Sequence, residues 1–310
     1  MEKPVIFIVE DEAIVASDIK ETLLALDYDI SGIAKSGELA LEKIHNKRPD
    51  LVLMDIHLAG EMDGVETAGK LHVLYDIPVI YLTAYADKSL LDRAKVTEPY
   101  GYVIKPYDER ELHSIIEMAL YKHRVERELR KRDSILFALS STVEWLLRVS
   151  RNTDATAVPV FDKGDMSNVL EPLGLALDAG AIAIFQITGG QADNPLTSII
   201  YEWGCPEYPP SLYKPELKNF TFSSMGLSRW DDLLNRGDVV SAFPGSFPDE
   251  EKALFRVMGV ESGVIVPVFV RERLWGFIGF FDINARVRSP DEIEALRITA
   301  NLLGAAMGYR

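Results

Sequence analysis

Cysteine is almost absent from this chain of 310 residues. Cys205 is the only one, which excludes an intramolecular disulfide and any multi-thiolate metal site, and fits a reducing compartment. Long apolar runs are also missing. The longest, near Gly263–Val270 and Leu274–Phe281, fall far short of the roughly 20 residues that span a bilayer. Basic residues are outnumbered 48 to 33 by acidic ones, giving a net charge of −15. Such a surface repels phosphate backbones and anionic lipid, so neither nucleic acid nor membrane is expected as a partner. Met1-Glu2-Lys3-Pro4 leads straight into a short strand-like run, without the length or the small-residue cleavage site of a signal peptide. A cytoplasmic protein is expected.

What is present is strongly patterned. The chain is 47% hydrophobic and 26% charged, a globular composition, and its length suits two domains. The first part alternates apolar runs of strand length with stretches of helical spacing. The runs are Val5–Val9, Ile30–Ala34, Leu51–Met54, Val79–Leu82 and Gly101–Ile104. The helical stretches are Ile14–Leu26, Gly37–Asn46, Val65–Tyr75, Lys88–Lys95 and Glu109–His123. Five βα units in succession predict a doubly wound α/β domain with five parallel strands, buried on both faces.

No proline or glycine occurs from Glu109 to Val149. Val125, Leu129, Arg132, Leu136, Leu139, Val143 and Leu146 recur at alternating spacings of about four and three, close to a coiled-coil seam. This predicts a continuous helix that links two domains and pairs with its copy. Beyond a polar stretch at Arg151–Asp165, strands mostly follow strands. Asp165 is placed to cap a helix through Ala179, and Ala181–Thr188 and Leu196–Trp203 form two strands. Ser228 is placed to cap a short helix, Val239–Ala242 is a strand, and Pro248 opens a helix over Asp249–Met258. Gly263–Val270 and Leu274–Ile283 make a hairpin around Arg271-Glu272-Arg273, and Ser289-Pro290-Asp291-Glu292 starts a closing helix. The second domain is therefore expected to be α+β with an antiparallel sheet.

The chemistry concentrates at strand ends of the first domain. Val9-Glu10-Asp11-Glu12 follows the first strand, where a nucleotide-binding fold would carry glycines. Carboxylates there suit a hard cation with oxygen ligands, such as Mg²⁺. Asp55 ends the third strand, Thr83 the fourth and Lys105 the fifth. Carboxylates, a hydroxyl and an ammonium at one sheet edge fit phosphoryl transfer, which needs a nucleophile and neutralised oxygens.

This set resembles the receiver domain of two-component response regulators, a flavodoxin-like fold. The resemblance implies Asp55 as phosphoacceptor and Mg²⁺ held by Glu10, Asp11, Asp55 and the backbone carbonyl of His57. It also implies Thr83 and Lys105 as phosphoryl-binding groups and Tyr102 as the switch aromatic. Two features depart from the family. Glu10 stands where Asp is commonest, and the loop Asp55–Gly64 looks one residue longer. His57 and Tyr85 flank the site where the family tunes phosphoryl lifetime.

The segment Leu274-Trp275-Gly276-Phe277-Ile278-Gly279-Phe280-Phe281-Asp282 resembles the last strand of GAF domains. That likeness implies a sensor or dimerisation module, with Phe185, Trp203 and Trp230 as candidates to line a pocket for a ligand of unknown chemistry. Cys205 precedes Pro206 rather than His, which argues against a thioether-linked chromophore.

The expected organisation is a receiver over residues 1–123, a signalling helix over 124–149 and a GAF-like domain over 150–310, its first helix overlapping 134–149. The expected function is phosphorelay signalling, with a cognate sensor histidine kinase as donor and a homodimer formed through the receiver face and linker helix. The chain is not expected to act as an enzyme on an external substrate. None of the five histidines (His45, His57, His72, His113, His123) is followed by Glu-Leu/Phe-Arg, and no Asp-x-Gly-x-Gly occurs. Two alternatives stay open: the N-terminal part of a larger histidine kinase, or a ligand sensor that uses the receiver as a dimerisation platform.

Overall fold

The computed structural model describes residues 3–84, 97–152, 163–191 and 194–308. They fall into two compact units, Met1–Leu129 and Arg130–Arg310.

The first unit contains β1 (Val5–Val9), α1 (Ala13–Ala25), β2 (Asp29–Ala34), α2 (Gly37–Asn46), β3 (Leu51–Asp55), α3 (Gly64–Tyr75), β4 (Val79–Ala84) and β5 (Gly101–Lys105). The long helix α4 (Glu109–Asn152) begins here. Among the described residues the sheet order is β2-β1-β3-β4-β5, and every pairing is parallel. This is the doubly wound order of flavodoxin-type folds, with the reversal between β1 and β3.

Alternation along the strands divides the core. Ile6, Ile8, Leu51, Leu53, Ile80 and Leu82 pack on one face with α1 and the start of α4. Phe7, Val9, Val52, Met54 and Tyr81 pack on the other with α2 and α3. Local signals set the helix ends: the Ser36 hydroxyl accepts from Leu39 N at 3.4 Å, and Asp63 Oδ1 accepts from Glu66 N at 2.8 Å. The helix expected over Lys88–Lys95 lies outside the described residues, as do Tyr85 and the middle of the polar stretch after Asn152.

The second unit adds α5 (Lys163–Ala176), β6 (Ala181–Gln191), β7 (Asn194–Gly204), β8 (Phe220–Thr221), α6 (Ser228–Asn235), β9 (Val240–Ala242), α7 (Lys252–Met258), β10 (Ser262–Val270), β11 (Arg273–Asp282) and α8 (Pro290–Gly308). Its strands are antiparallel in the order β8-β7-β6-β11-β10-β9. Ile182, Ile184, Val266, Ile278 and Phe280 face α5, α8 and the far part of α4. Phe185, Ile265, Phe277 and Phe281 face the opposite side, against α6 and α7.

Several expectations are adjusted. The hairpin turn is Arg271-Glu272 alone, both at positive φ (49° and 65°), and Arg273 already pairs with Val270. A two-residue turn with both residues at positive φ matches the right-handed twist of the strands, which a turn of the opposite hand would splay. Ser228 is the first residue of α6 rather than its cap. The cap position falls to Leu227, which is held fully buried and offers no side-chain cap. The helix expected over Asp249–Met258 divides into a 3₁₀ turn, Asp249–Glu251, and α7. Asp165, expected as a cap, falls inside α5. The strand β8 gave no sequence signal, being two residues long.

The linker is one unbroken helix, as the lack of proline and glycine implied. In its far part, Ile135, Ala138, Thr142 and Trp145 are buried, a stripe distinct from the seam. The seam itself is open: Leu129 is 53% and Leu136 62% exposed, Val125 and Val143 are also exposed, and Leu139 is half-buried. This stretch of helix is thus apolar on two sides.

Gly276 in β11 sits in register with Gln186, and a Cβ there would lie 2.0 Å from the Phe185 carbonyl oxygen. Backbone cannot yield as a side-chain tip can. Gly276→Ala is expected to destabilise the second unit by about 2–4 kcal/mol, read by urea unfolding.

Candidate functional site

The site lies at the carboxyl ends of the parallel strands. Glu10 follows β1, Asp55 ends β3, Thr83 lies near the end of β4 and Lys105 ends β5. Parallel register brings these ends to one edge: Asp55 pairs with Leu82, and Thr83 with Ile104. Lys105 Nζ donates to Glu10 Oε2 at 2.7 Å and also to Asp55 Oδ2. The other Asp55 oxygen, Oδ1, accepts from His57 N at 2.9 Å. Lys105 precedes Pro106 through a cis peptide bond.

One ammonium therefore serves two buried carboxylates. Glu10 is only 2% exposed, and Asp55 and Thr83 are buried too. Burial pushes the Glu10 carboxyl from its ordinary 4.5 up to about 7, with the Asp55 charge adding to the shift and Lys105 opposing it. Burial acts against the Lys105 charge, but hydrogen bonds and attraction from Asp55 and Glu10 outweigh it and raise its pKa. The edge thus carries a surplus of negative charge.

Tyr102, three residues before Lys105 on β5, is half-buried and stacks on Tyr81 with ring centroids 5.8 Å apart. The Tyr81 hydroxyl in turn meets Thr97 Oγ1 at 2.8 Å. Two residues absent from the sequence reading support the site. Tyr81 forms the floor under Tyr102. Glu38, at the start of α2, accepts from Glu61 N at 3.2 Å and Met62 N at 3.0 Å, and so holds the loop after Asp55. A contact across 23 residues leaves no local sequence signal.

Of the expected metal ligands, Glu10 and Asp55 come together, whereas the Asp11 side chain is exposed. Among the described residues no three His, Cys, Asp or Glu side chains group to hold a metal ion. The donors present are all oxygens beside surplus negative charge, which fits a hard cation held by two carboxylates, a backbone carbonyl and water.

In the second unit, Phe185 and Trp230 lie on one face of the sheet and Trp203 packs on the other. They do not line one pocket. Phe185 stacks on Phe277 at 4.7 Å, and Trp230 Nε1 donates to Glu251 Oε2 at 2.9 Å.

Family models match residues 6–117 as a response regulator receiver domain and residues 166–307 as a GAF domain. The chain joins a receiver domain to a GAF domain. The chain is similar to part of the methanogenesis regulatory histidine kinase FilI of Methanothrix harundinacea. That match is 33% identical over 182 residues, covering 58% of this chain and 19% of the relative. It is also similar to the transcriptional regulatory protein PdtaR of Mycobacterium tuberculosis, 33% identical over 119 residues, 38% of this chain and 58% of the relative. The chain thus spans less than two thirds of either relative's length. A solved signal receiver domain of a modulated diguanylate cyclase from Desulfovibrio desulfuricans is 39% identical; the match covers 40% of this chain and 99% of that one, with a TM-score of 0.39. No described helix is long and apolar enough to cross a membrane.

The raised Glu10 carboxyl makes stability depend on pH. The folded receiver binds this proton more tightly than the unfolded chain. The stabilisation is full below pH 4.5 and is lost as pH rises through about 7. Glu10→Gln, neutral throughout, is expected to flatten that window and, in metal-free buffer at pH 8, to be more stable than wild type by about 2 kcal/mol in urea unfolding.

Proposed function

We propose that the chain is a phosphorelay signalling protein whose receiver accepts a phosphoryl group on Asp55 and passes the change along α4 to the GAF domain. The observation that carries this is the Lys105 bridge between Glu10 and Asp55: a buried nucleophile beside a cation at the edge of a parallel sheet. In the transfer, an Asp55 carboxylate oxygen forms a bond to phosphorus as the phosphorus–nitrogen bond of a phosphohistidine on a sensor kinase breaks. The imidazole leaves with the bonding pair and takes up a proton. Lys105 is positioned to exchange its hydrogen bond to Asp55 for one to a phosphoryl oxygen, and Thr83, buried at the same edge, to bind another.

Glu10, Asp11, Asp55 and the backbone carbonyl of His57 are the groups that would hold Mg²⁺. When bound, Mg²⁺ supplies neutralisation of phosphoryl charge. Tyr102 is the readout: a shift of Thr83 toward the phosphoryl group opens space beside the ring. The receiver turns over no external substrate. The cytoplasm, where sensor kinases present their phosphohistidine, is the expected compartment.

The exposed seam on α4, Val125, Leu129, Leu136 and Val143, is proposed to pair with a second copy. A second reading, favoured by the 182-residue match to a histidine kinase, makes the chain the front of a larger kinase. The reading frame beyond Arg310 separates the two.

Acetyl phosphate with Mg²⁺ is expected to give an acid-stable, base-labile phosphoryl adduct on wild type and none on Asp55→Asn. A wild type that takes up no phosphoryl group sinks the reading. Val125→Glu with Leu129→Glu is expected to weaken self-association at least tenfold in sedimentation equilibrium, whereas a wild type monomeric with and without beryllofluoride removes the dimer.

A further inference from the structure

Beyond Arg130, α4 is held to the second unit in two ways. Ile135, Ala138 and Trp145 enter the core. One turn earlier, Lys131 Nζ donates to Glu292 Oε1 at 2.9 Å. Glu292 is the third residue of α8 and closes its capping box: Oε2 accepts from Ser289 N at 2.8 Å, while Ser289 Oγ accepts from Glu292 N at 3.3 Å. The same Oε1 accepts from Arg286 Nη2 at 2.9 Å and from Arg288 Nη1 at 3.4 Å. Arg288 Nη2 then reaches Asp282 Oδ1, at the end of β11, at 2.6 Å.

The chain of charges therefore runs from the long helix, through the start of α8, to the central sheet. It is dry at its centre: the side chains of Glu292, Arg288 and Asp282 are 4%, 1% and 7% exposed. Burial works against the Glu292 charge, yet the hydrogen bonds from Lys131 and Ser289 lower its pKa and keep it ionised. Buried ionic contacts of this kind are strong, directional and costly to break singly. A neighbouring pair, Arg132 Nη2 to Asp291 Oδ2 at 3.0 Å, is exposed on both sides and binds weakly by comparison.

We propose that Glu292 is a coupling latch, the point where displacement of α4 is handed to α8 and to the end of β11. Lys131 is its positioning partner on α4. The coupling half rests on the receiver as the input; the latch itself does not. Lys131→Met cuts the helix from Glu292 and leaves the capping box, Arg286 and Arg288 in place, so the domain stays folded.

All four tryptophans, Trp145, Trp203, Trp230 and Trp275, lie beyond Arg130, so tryptophan emission reports the second unit while beryllofluoride binds the first. The full chain is titrated with Mg²⁺ and beryllofluoride; ¹⁹F NMR reads occupancy and emission reads the response. Lys131→Met is expected to bind beryllofluoride as wild type does, with an emission response at least threefold smaller. Amide exchange over residues 131–145 should rise about tenfold. Lys131→Arg is expected to restore both, and Arg132→Met to stay within twofold of wild type. An unchanged emission response in Lys131→Met overturns the latch, even if exchange quickens. So does an equal loss in Arg132→Met. If wild type binds no beryllofluoride, the receiver reading falls. In that case exchange tests the contact itself, and an unchanged rate in Lys131→Met overturns the latch; a wild type that binds beryllofluoride with silent emission overturns it too.

Discussion

A single ammonium between two buried carboxylates is the constraint on which the first unit turns. Without Lys105, Glu10 and Asp55 would meet as like charges cut off from water, and neither could stay ionised at modest cost. The fold exists to hold that arrangement. Parallel strands place β1, β3 and β5 ends at one edge, and continuous apolar runs bury those strands on both faces. The polar groups are thereby forced out at the tips. Such a site responds to any change in charge, because its neutralisation is incomplete.

The second unit solves a different problem with similar economy. Its sheet is covered on both sides, by α4, α5 and α8 on one and by α6, α7 and aromatic loops on the other. Phe185, Phe277 and Trp230 fill the second side with their own rings. Among the described residues, buried charge gathers in two places: Arg288, Asp282 and Glu292 at one end, and Glu251, held by Arg229 and Trp230, on the second side.

Much of this was legible in the residue order. Strand-length apolar runs, the Ser289-Pro290-Asp291-Glu292 helix start and the acidic turn after β1 are local signals, and each has a local physical cause. The carboxylate, hydroxyl and lysine were legible because strand ends in a parallel sheet must converge. Contacts that span the chain were not. Glu38 holding Met62, Tyr81 beneath Tyr102 and Lys131 against Glu292 join residues whose own neighbourhoods look like ordinary surface or core. The buried stripe Ile135, Ala138 and Trp145 was hidden for another reason: a second apolar face interleaves with the seam, and one periodicity masked the other. Phe185 and Trp203 part because the residue order does not give the pairing register of β6 with β7, which sets Trp203 opposite Ile182 and so on the face away from Phe185 and Trp230.

The unbroken α4 also limits how such a chain can change over generations. An α-helix turns about 100° with each residue. Adding one residue to α4 therefore swings everything beyond it a quarter turn or more about the helix axis, whereas seven leave it within about 20° of its former phase. Linkers of this kind keep their phase only when they lengthen by close to a whole number of turns, by about 7, 11 or 18 residues for example. Relatives that keep the same geometry are expected to differ in linker length by such near-whole-turn steps, with intermediate lengths filtered out by phase and not by stability.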